Sequence, residues 1–116
     1  RILRRYCPGF KLHVKKKGGK RKPVKLEGDI KIRNGRYGLK IVIPDKYPYT
    51  MPRIRSSGWN PSDAPHRYSD GSLCIMQSKQ WNISYSLALV VKKATLWIHK
   101  YLKWKRTRRW PGRAQD

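Results

Sequence analysis

Apolar and polar residues alternate through Phe10–Val14 (FKLHV) and again through Val24–Ile32 (VKLEGDIKI), with KKKGGKRKP between them. Period-two alternation around a Gly-Gly pair predicts a β-hairpin with a basic tip. Asn34-Gly35 supplies a second turn, and GRYGLKIVIP (Gly35–Pro44) puts Tyr37, Leu39, Ile41 and Ile43 on one face of a third strand. Pro48 and Pro52 in DKYPYTMPRIRSS interrupt regular pairing and set an extended crossing before a short fourth strand around Arg53–Arg55. The expected sheet is a four-stranded antiparallel meander.

The stretch from Ser56 to about Asn82 has no sustained period and is dense in Gly, Pro, Ser and Asp. Loops of that length in a compact domain usually carry function or are disordered. From Ser84 or Ser86, either a suitable N-cap, Leu87, Val91, Ala94, Ile98 and Tyr101 recur at helical steps. This predicts one long amphipathic helix behind the sheet, and the fold class is α+β. Leu89 and Leu96 fall on the other face with Lys92, His99 and Lys103; two apolar residues there suggest a docking surface. After Leu102, KWKRTRRWPGRAQD reads as a basic tail, ended as a helix by Pro111-Gly112 at the latest. Arg1–Tyr6 (RILRRY) reads as the last turns of a helix.

At 116 residues the expectation is one domain, 1–116, with a basic N-terminal segment, 1–22, and a basic C-terminal tail, 103–116. Lysine and arginine number 29 against 6 acids, a net charge of +23, which implies self-repulsion and a polyanionic partner: nucleic acid or an acidic protein face. Two cysteines are too few for a disulfide framework, and no apolar run reaches membrane-spanning length, so a soluble, reducing, cytoplasmic setting is expected. Two Cys and three His lie scattered without paired ligand spacing, and no phosphate-binding glycine loop is present, so no metal or cofactor is expected.

Charge is not spread evenly. Ten basic residues lie in Arg1–Lys22 and nine in Lys92–Arg113, whereas Tyr68–Val91 holds Lys79 and one acid, Asp70. Cys74 sits inside this near-neutral island, in DGSLC, directly after a turn. Cysteine is often merely a small buried hydrophobe, but an accessible thiol in a polar loop is a nucleophile suited to acyl transfer.

The run APHRYSDGSLC resembles the active-site segment of ubiquitin-conjugating enzymes, in which a His-Pro-Asn triplet and an Asn/Asp-Gly turn precede the catalytic cysteine. The match is ungapped at Pro65, Gly71, Leu73 and Cys74. Upstream, YGLKIVIPDKYPYTMPRI resembles that family's third strand, Tyr-Pro turn, proline-rich segment and fourth strand; downstream, Trp81 and the helix from about Ser86 resemble its tryptophan and central helix. About 75 residues take part, in the family's order. The resemblance implies a thioester-forming transferase with Cys74 as acyl carrier. Two departures stand out: the triplet is Ala64-Pro65-His66, with histidine at the asparagine position, and little chain remains for the family's C-terminal helices. Trimmed versions of this kind resemble bacterial conjugating-enzyme-like proteins of antiviral, CBASS-like operons, whose partner is a cyclic-GMP-AMP-synthase-like nucleotidyltransferase.

On that reading His66 either donates to a developing oxyanion and takes a proton from an attacking amine, or only steadies the loop. Asp70 either orients a lysine or makes the Asp-Gly turn with Gly71, the turn being favoured. Tyr68 lines the groove beside the thioester or plugs the loop into the core, and Trp81 packs under the loop. The acyl donor would be a ubiquitin-like protein or a partner's own tail, and an adenylating enzyme must activate it. Leu89, Leu96, Lys103, Trp104, Arg106 and Trp110 are the expected partner-binding residues, with an acidic protein favoured over nucleic acid. The alternative is a catalytically inactive basic binding module, in which Lys15–Lys17, Lys20–Lys22 and the tail track phosphates and Trp104 and Trp110 stack on bases. Cys7, near the chain end amid arginines, is expected to be dispensable, although its neighbours favour reactivity.

Overall fold

The structure, a computed structural model, describes residues 7–112. The expected helical turns at Arg1–Tyr6 lie outside the described residues, as does the end of the tail from 113 to 116. Four strands, β1 (Lys11–Lys17), β2 (Lys20–Ile32), β3 (Gly35–Val42) and β4 (Arg53–Ser57), form one antiparallel sheet in sequence order. Alternation sets which face is buried. Leu26, Ile41 and Ile54 lie in one cross-strand row and are almost wholly buried, together with Leu39.

Two details depart from the sequence reading. The first hairpin pairs all the way to Lys17↔Lys20, beyond the apolar alternation, because ladder hydrogen bonds belong to the backbone and Gly18 and Gly19 take the positive φ of the turn, 60° and 79°. The second turn lies one residue earlier than Asn34-Gly35. Arg33 takes the positive-φ corner at 56°, and Gly35 already pairs with Ile32.

The helix α1 runs Leu87–Thr107. Ser86 is its N-cap, its hydroxyl accepting from the Leu89 amide at 3.1 Å, which settles the choice between Ser84 and Ser86. Val90, Val91, Ala94, Trp97, Ile98 and Tyr101 are buried against the sheet. The valines and isoleucine among them each contribute roughly 1.5–3 kcal/mol on leaving water. The helix outlasts Leu102 by five residues and ends where Arg108 turns left-handed, φ 58°, so Lys103, Trp104 and Arg106 are helical rather than part of a tail. Lys105 and Arg106 in its last turn complement the helix dipole. Cys7 belongs to the core, and burial pushes its thiol pKa up, which opposes the reactivity its neighbouring arginines suggested.

Candidate functional site around Cys74

His66–Cys74 forms a miniature hairpin. The Tyr68 amide donates to the Ser72 carbonyl at 2.9 Å, the Gly71 amide to the Tyr68 carbonyl at 2.9 Å, and the Cys74 amide to the His66 carbonyl at 3.1 Å. Arg67 and Leu73 bridge between the two arms. A three-residue loop, Ser69-Asp70-Gly71, ends in Gly71 at φ 88°, a conformation that suits glycine. The second arm is stitched to the sheet by the Leu73 amide on the Ile54 carbonyl at 2.9 Å. Leu73, Ile75 and Met76 are buried on either side of Cys74 while the cysteine itself stays partly exposed. Cys74 is thereby pinned at its main chain and left only partly covered.

Asp70 locks the loop. Its carboxylate accepts from the Ser72 hydroxyl at 2.6 Å and the Ser72 amide at 2.9 Å, and it lies 3.5 Å from Arg55 and 3.9 Å from Arg53 on β4. The Ser72 hydrogen bonds first, and then the two arginines, hold its pKa below the usual carboxylate range. Arg55 also donates to the Asp70 carbonyl at 3.0 Å. The turn role expected for Asp70 and Gly71 is therefore the arrangement observed.

Tyr68 packs into the core and also lies beside Cys74. Its ring packs against the core and lies under the Arg53 guanidinium, 4.6 Å from the ring centre, while its hydroxyl donates to the Met76 carbonyl. The Cys74 Sγ is 3.9 Å from that same carbonyl, so phenol and thiol converge on one acceptor. Burial, and then the charge and hydrogen bond of Cys74, push the phenol pKa up to about 12. The hydroxyl stays protonated through the physiological range, its one hydrogen held on the Met76 carbonyl that Sγ also faces.

His66 is held in the left-handed region at φ 61°. Histidine, asparagine and aspartate are the non-glycine residues that occupy this region most readily, which gives a backbone reason for histidine at the asparagine position of the resembled motif. Its carbonyl accepts from both the Cys74 amide and the Trp97 Nε1, each at 3.1 Å. The imidazole meets Trp110 edge-on, ring centres 5.0 Å apart, and Trp110 in turn lies 5.2 Å from Trp97. Burial, then the positive charge of Lys100, pull the imidazole pKa down. His66 is a neutral ring near pH 7.

Trp81 donates Nε1–H to the Pro48 carbonyl at 2.7 Å and packs on Tyr85 and Tyr47, tying the segment after Cys74 to the Tyr-Pro turn. Pro65 is half-buried beside the buried Ala64. Trp104 stacks on Tyr101 under Arg108, and Trp110 completes a cluster with Trp97, so both rings are engaged within the chain and neither is a free platform for bases. Leu89 and Leu96 do come together, lining an apolar groove of about 840 Å³ with Phe10 and Ile30; Lys103 and Arg106 border a separate depression beside Tyr37. Sequence reasoning missed Trp97, Arg53 and Arg55. Trp97 follows Val90 and Ala94 at helical spacing and was legible on the buried stripe; the two arginines face the outer side of β4, and only the fold shows that they meet Asp70. Among the described residues no three metal-ligating side chains come together.

The whole chain, residues 1–116, matches the family model described as type II CBASS E2 protein. The chain belongs to the type II CBASS E2 family. Membership gives it a ubiquitin-conjugation-like role in CBASS antiviral defence, with protein partners. Among curated proteins nothing matches it. A solved structure of similar fold is the Vps23 UEV in a complex with ubiquitin, with a TM-score of 0.60 and 17% identity over 84% of this chain and 76% of that one. At that identity the likeness shows a shared fold: an antiparallel four-stranded sheet with one long helix after it. No helix among the described residues is long and apolar enough to cross a membrane.

Proposed function

We propose that this type II CBASS E2 protein is a cysteine-dependent acyl carrier whose Cys74 holds the C-terminal carboxyl of a ubiquitin-like protein or of a partner nucleotidyltransferase as a thioester. The observation that carries the reading is a pinned cysteine that is not buried: the Cys74 amide is fixed on the His66 carbonyl while the residue stays partly exposed beside the protonated Tyr68 hydroxyl. In the loading step the Cys74 thiolate attacks a carbonyl already activated as an acyl adenylate. A carbon–sulfur bond forms and AMP leaves. In the transfer step an amine, or a thiol, attacks the thioester carbonyl, the carbon–sulfur bond breaks, and the departing thiolate recovers a proton.

The chain's own residues serve this chemistry in separate ways. As negative charge returns to sulfur, the Tyr68 O–H turns from the Met76 carbonyl to donate to it. The hairpin locked by Asp70 and Gly71 holds Cys74 still, and Trp81 braces the segment that follows. His66 presents Cys74 through its carbonyl, and its neutral imidazole is in the form able to accept a proton from an attacking amine. Activation of the carboxylate falls to an adenylating enzyme, and the near-neutral segment Tyr68–Val91 suits an uncharged tail.

The test is a non-reducing gel and intact mass of the protein from cells co-expressing its genomic neighbours, for wild type and Cys74→Ser. A reductant-labile adduct in wild type that becomes a reductant-stable ester with serine supports the reading, and its mass names the donor. An adduct unaffected by Cys74→Ser, or no adduct in either protein, contradicts it. Tyr68→Phe is expected to load normally and discharge several-fold more slowly in single-turnover transfer; an unchanged discharge rate removes Tyr68 from the mechanism.

A further inference from the structure

The β1–β2 hairpin projects past the rest of the sheet. β2 pairs with β3 only from Lys25 to Ile32, so residues 14–17 and 20–23 pair with each other alone. In this free ribbon the cross-strand partners are Lys15↔Lys22, Lys16↔Arg21 and Lys17↔Lys20, three successive pairs of like charge. Like charges directly opposite on a sheet are destabilising, and here three occur in a row. The only carboxylate within ion-pair reach of the six, among the described residues, is Asp45 at 3.8 Å from Lys22. The ribbon is therefore built at a cost in stability that an external polyanion would offset.

The geometry specifies what kind of polyanion. Successive pairs on a ribbon point to opposite faces, so Lys15, Lys17, Lys20 and Lys22 lie on one face and Lys16 and Arg21 on the other. An acidic protein surface would neutralise one face and leave the other exposed. A groove flanked by two phosphate backbones meets both. The two strands stand about 4.8 Å apart and the four free pairs reach about 13 Å, dimensions compatible with a major groove about 12 Å wide and about 8.5 Å deep. Gly18 and Gly19 make the tip, with nothing within 4 Å of either Cβ position, so the leading end is narrow and bare. No aromatic residue lies on the ribbon, and Trp104 and Trp110 are occupied internally, which disfavours a single-stranded ligand held by base stacking.

We infer that the free end of the β1–β2 hairpin is a DNA-binding ribbon that enters the major groove of a B-form duplex and grips phosphates from both of its faces. This surface is separate from Cys74 and adds a second partner class to the acyl carrier.

The test is fluorescence anisotropy of a labelled 20-base-pair DNA duplex with the full chain, from about 50 to 200 mM salt. Two variants address the faces separately: Lys16→Gln/Arg21→Gln, and Lys15→Gln/Lys17→Gln/Lys20→Gln. Each is expected to weaken binding and to flatten the plot of log affinity against log salt by about 0.9 per lost phosphate contact. Each is also expected to raise the melting temperature, because repulsion is relieved, and to retain the thioester at Cys74. Wild-type affinity in both variants overturns the inference. So does an effect confined to one face, the pattern of a one-sided acidic protein contact, or binding to a single strand of equal length as tight as to the duplex.

Discussion

His66 shows why identity and role have to be separated at the level of single residues. Its type and position suggested an imidazole acting on substrate, whereas its firmest contacts run through its carbonyl, which takes both the Cys74 amide and Trp97. If the left-handed backbone at φ 61° is what the site needs, His66→Asn and His66→Gly keep most of the transfer rate. His66→Ala loses about five- to thirtyfold, since a left-handed alanine costs about 1–2 kcal/mol. Single-turnover transfer rates decide, and a glycine variant as poor as alanine would return the role to the imidazole. The lowered imidazole pKa also has a sign for stability. Its contribution is fully present above the unfolded value of about 6.5 and is lost as pH falls through the lower folded value. Thermal melts from pH 7.5 down to 5 are expected to show this loss in wild type and a flatter profile in His66→Asn.

At the scale of elements, the strands and the helix were legible in the sequence because burial of one face writes a period into the chain. Leu26, Leu39 and Ile41 alternate, and Val91, Ala94, Ile98 and Tyr101 recur at helical steps. Tips and ends were less legible. The hairpin runs on to Lys17 without apolar residues, and α1 continues through Thr107, because backbone hydrogen bonding extends past the buried stripe that signals it. The Asp70-Gly71 turn before Cys74 was readable, but the hairpin it closes and its anchoring by Arg53 and Arg55 were not, since those contacts join residues through a fold that period alone does not specify. The hairpin's dependence on Gly71 is testable. Gly71→Ala at φ 88° is expected to cost about 1–3 kcal/mol in urea unfolding and to slow thioester loading; unchanged stability would show that the turn adapts.

Across the whole molecule the charge is segregated. The segment Tyr68–Val91 that holds Cys74 is near-neutral, six cations crowd the free ribbon, and further cations line the last turns of α1 and the residues after it. A net charge of +23 on 116 residues makes self-repulsion a term of global stability. The melting temperature is therefore expected to rise as salt goes from about 10 to 150 mM, where the screening length shortens from about 30 Å to about 8 Å. A flat dependence would mean that the surface ion pairs already balance the charge. Composition announced a polyanion but not its kind; the register of β1 on β2, which composition does not contain, is what distinguishes a groove from a flat acidic face.

The central claim is that Cys74 carries an acyl group. The most direct measurement is peptide mapping by mass spectrometry of the chain isolated from cells co-expressing its genomic neighbours, before and after neutral hydroxylamine, which cleaves thioesters and spares amides. A thioester at Cys74 gives a mass increment on the peptide containing Cys74 that hydroxylamine removes. An increment on a lysine peptide that survives hydroxylamine, with Cys74 unmodified throughout, would contradict it.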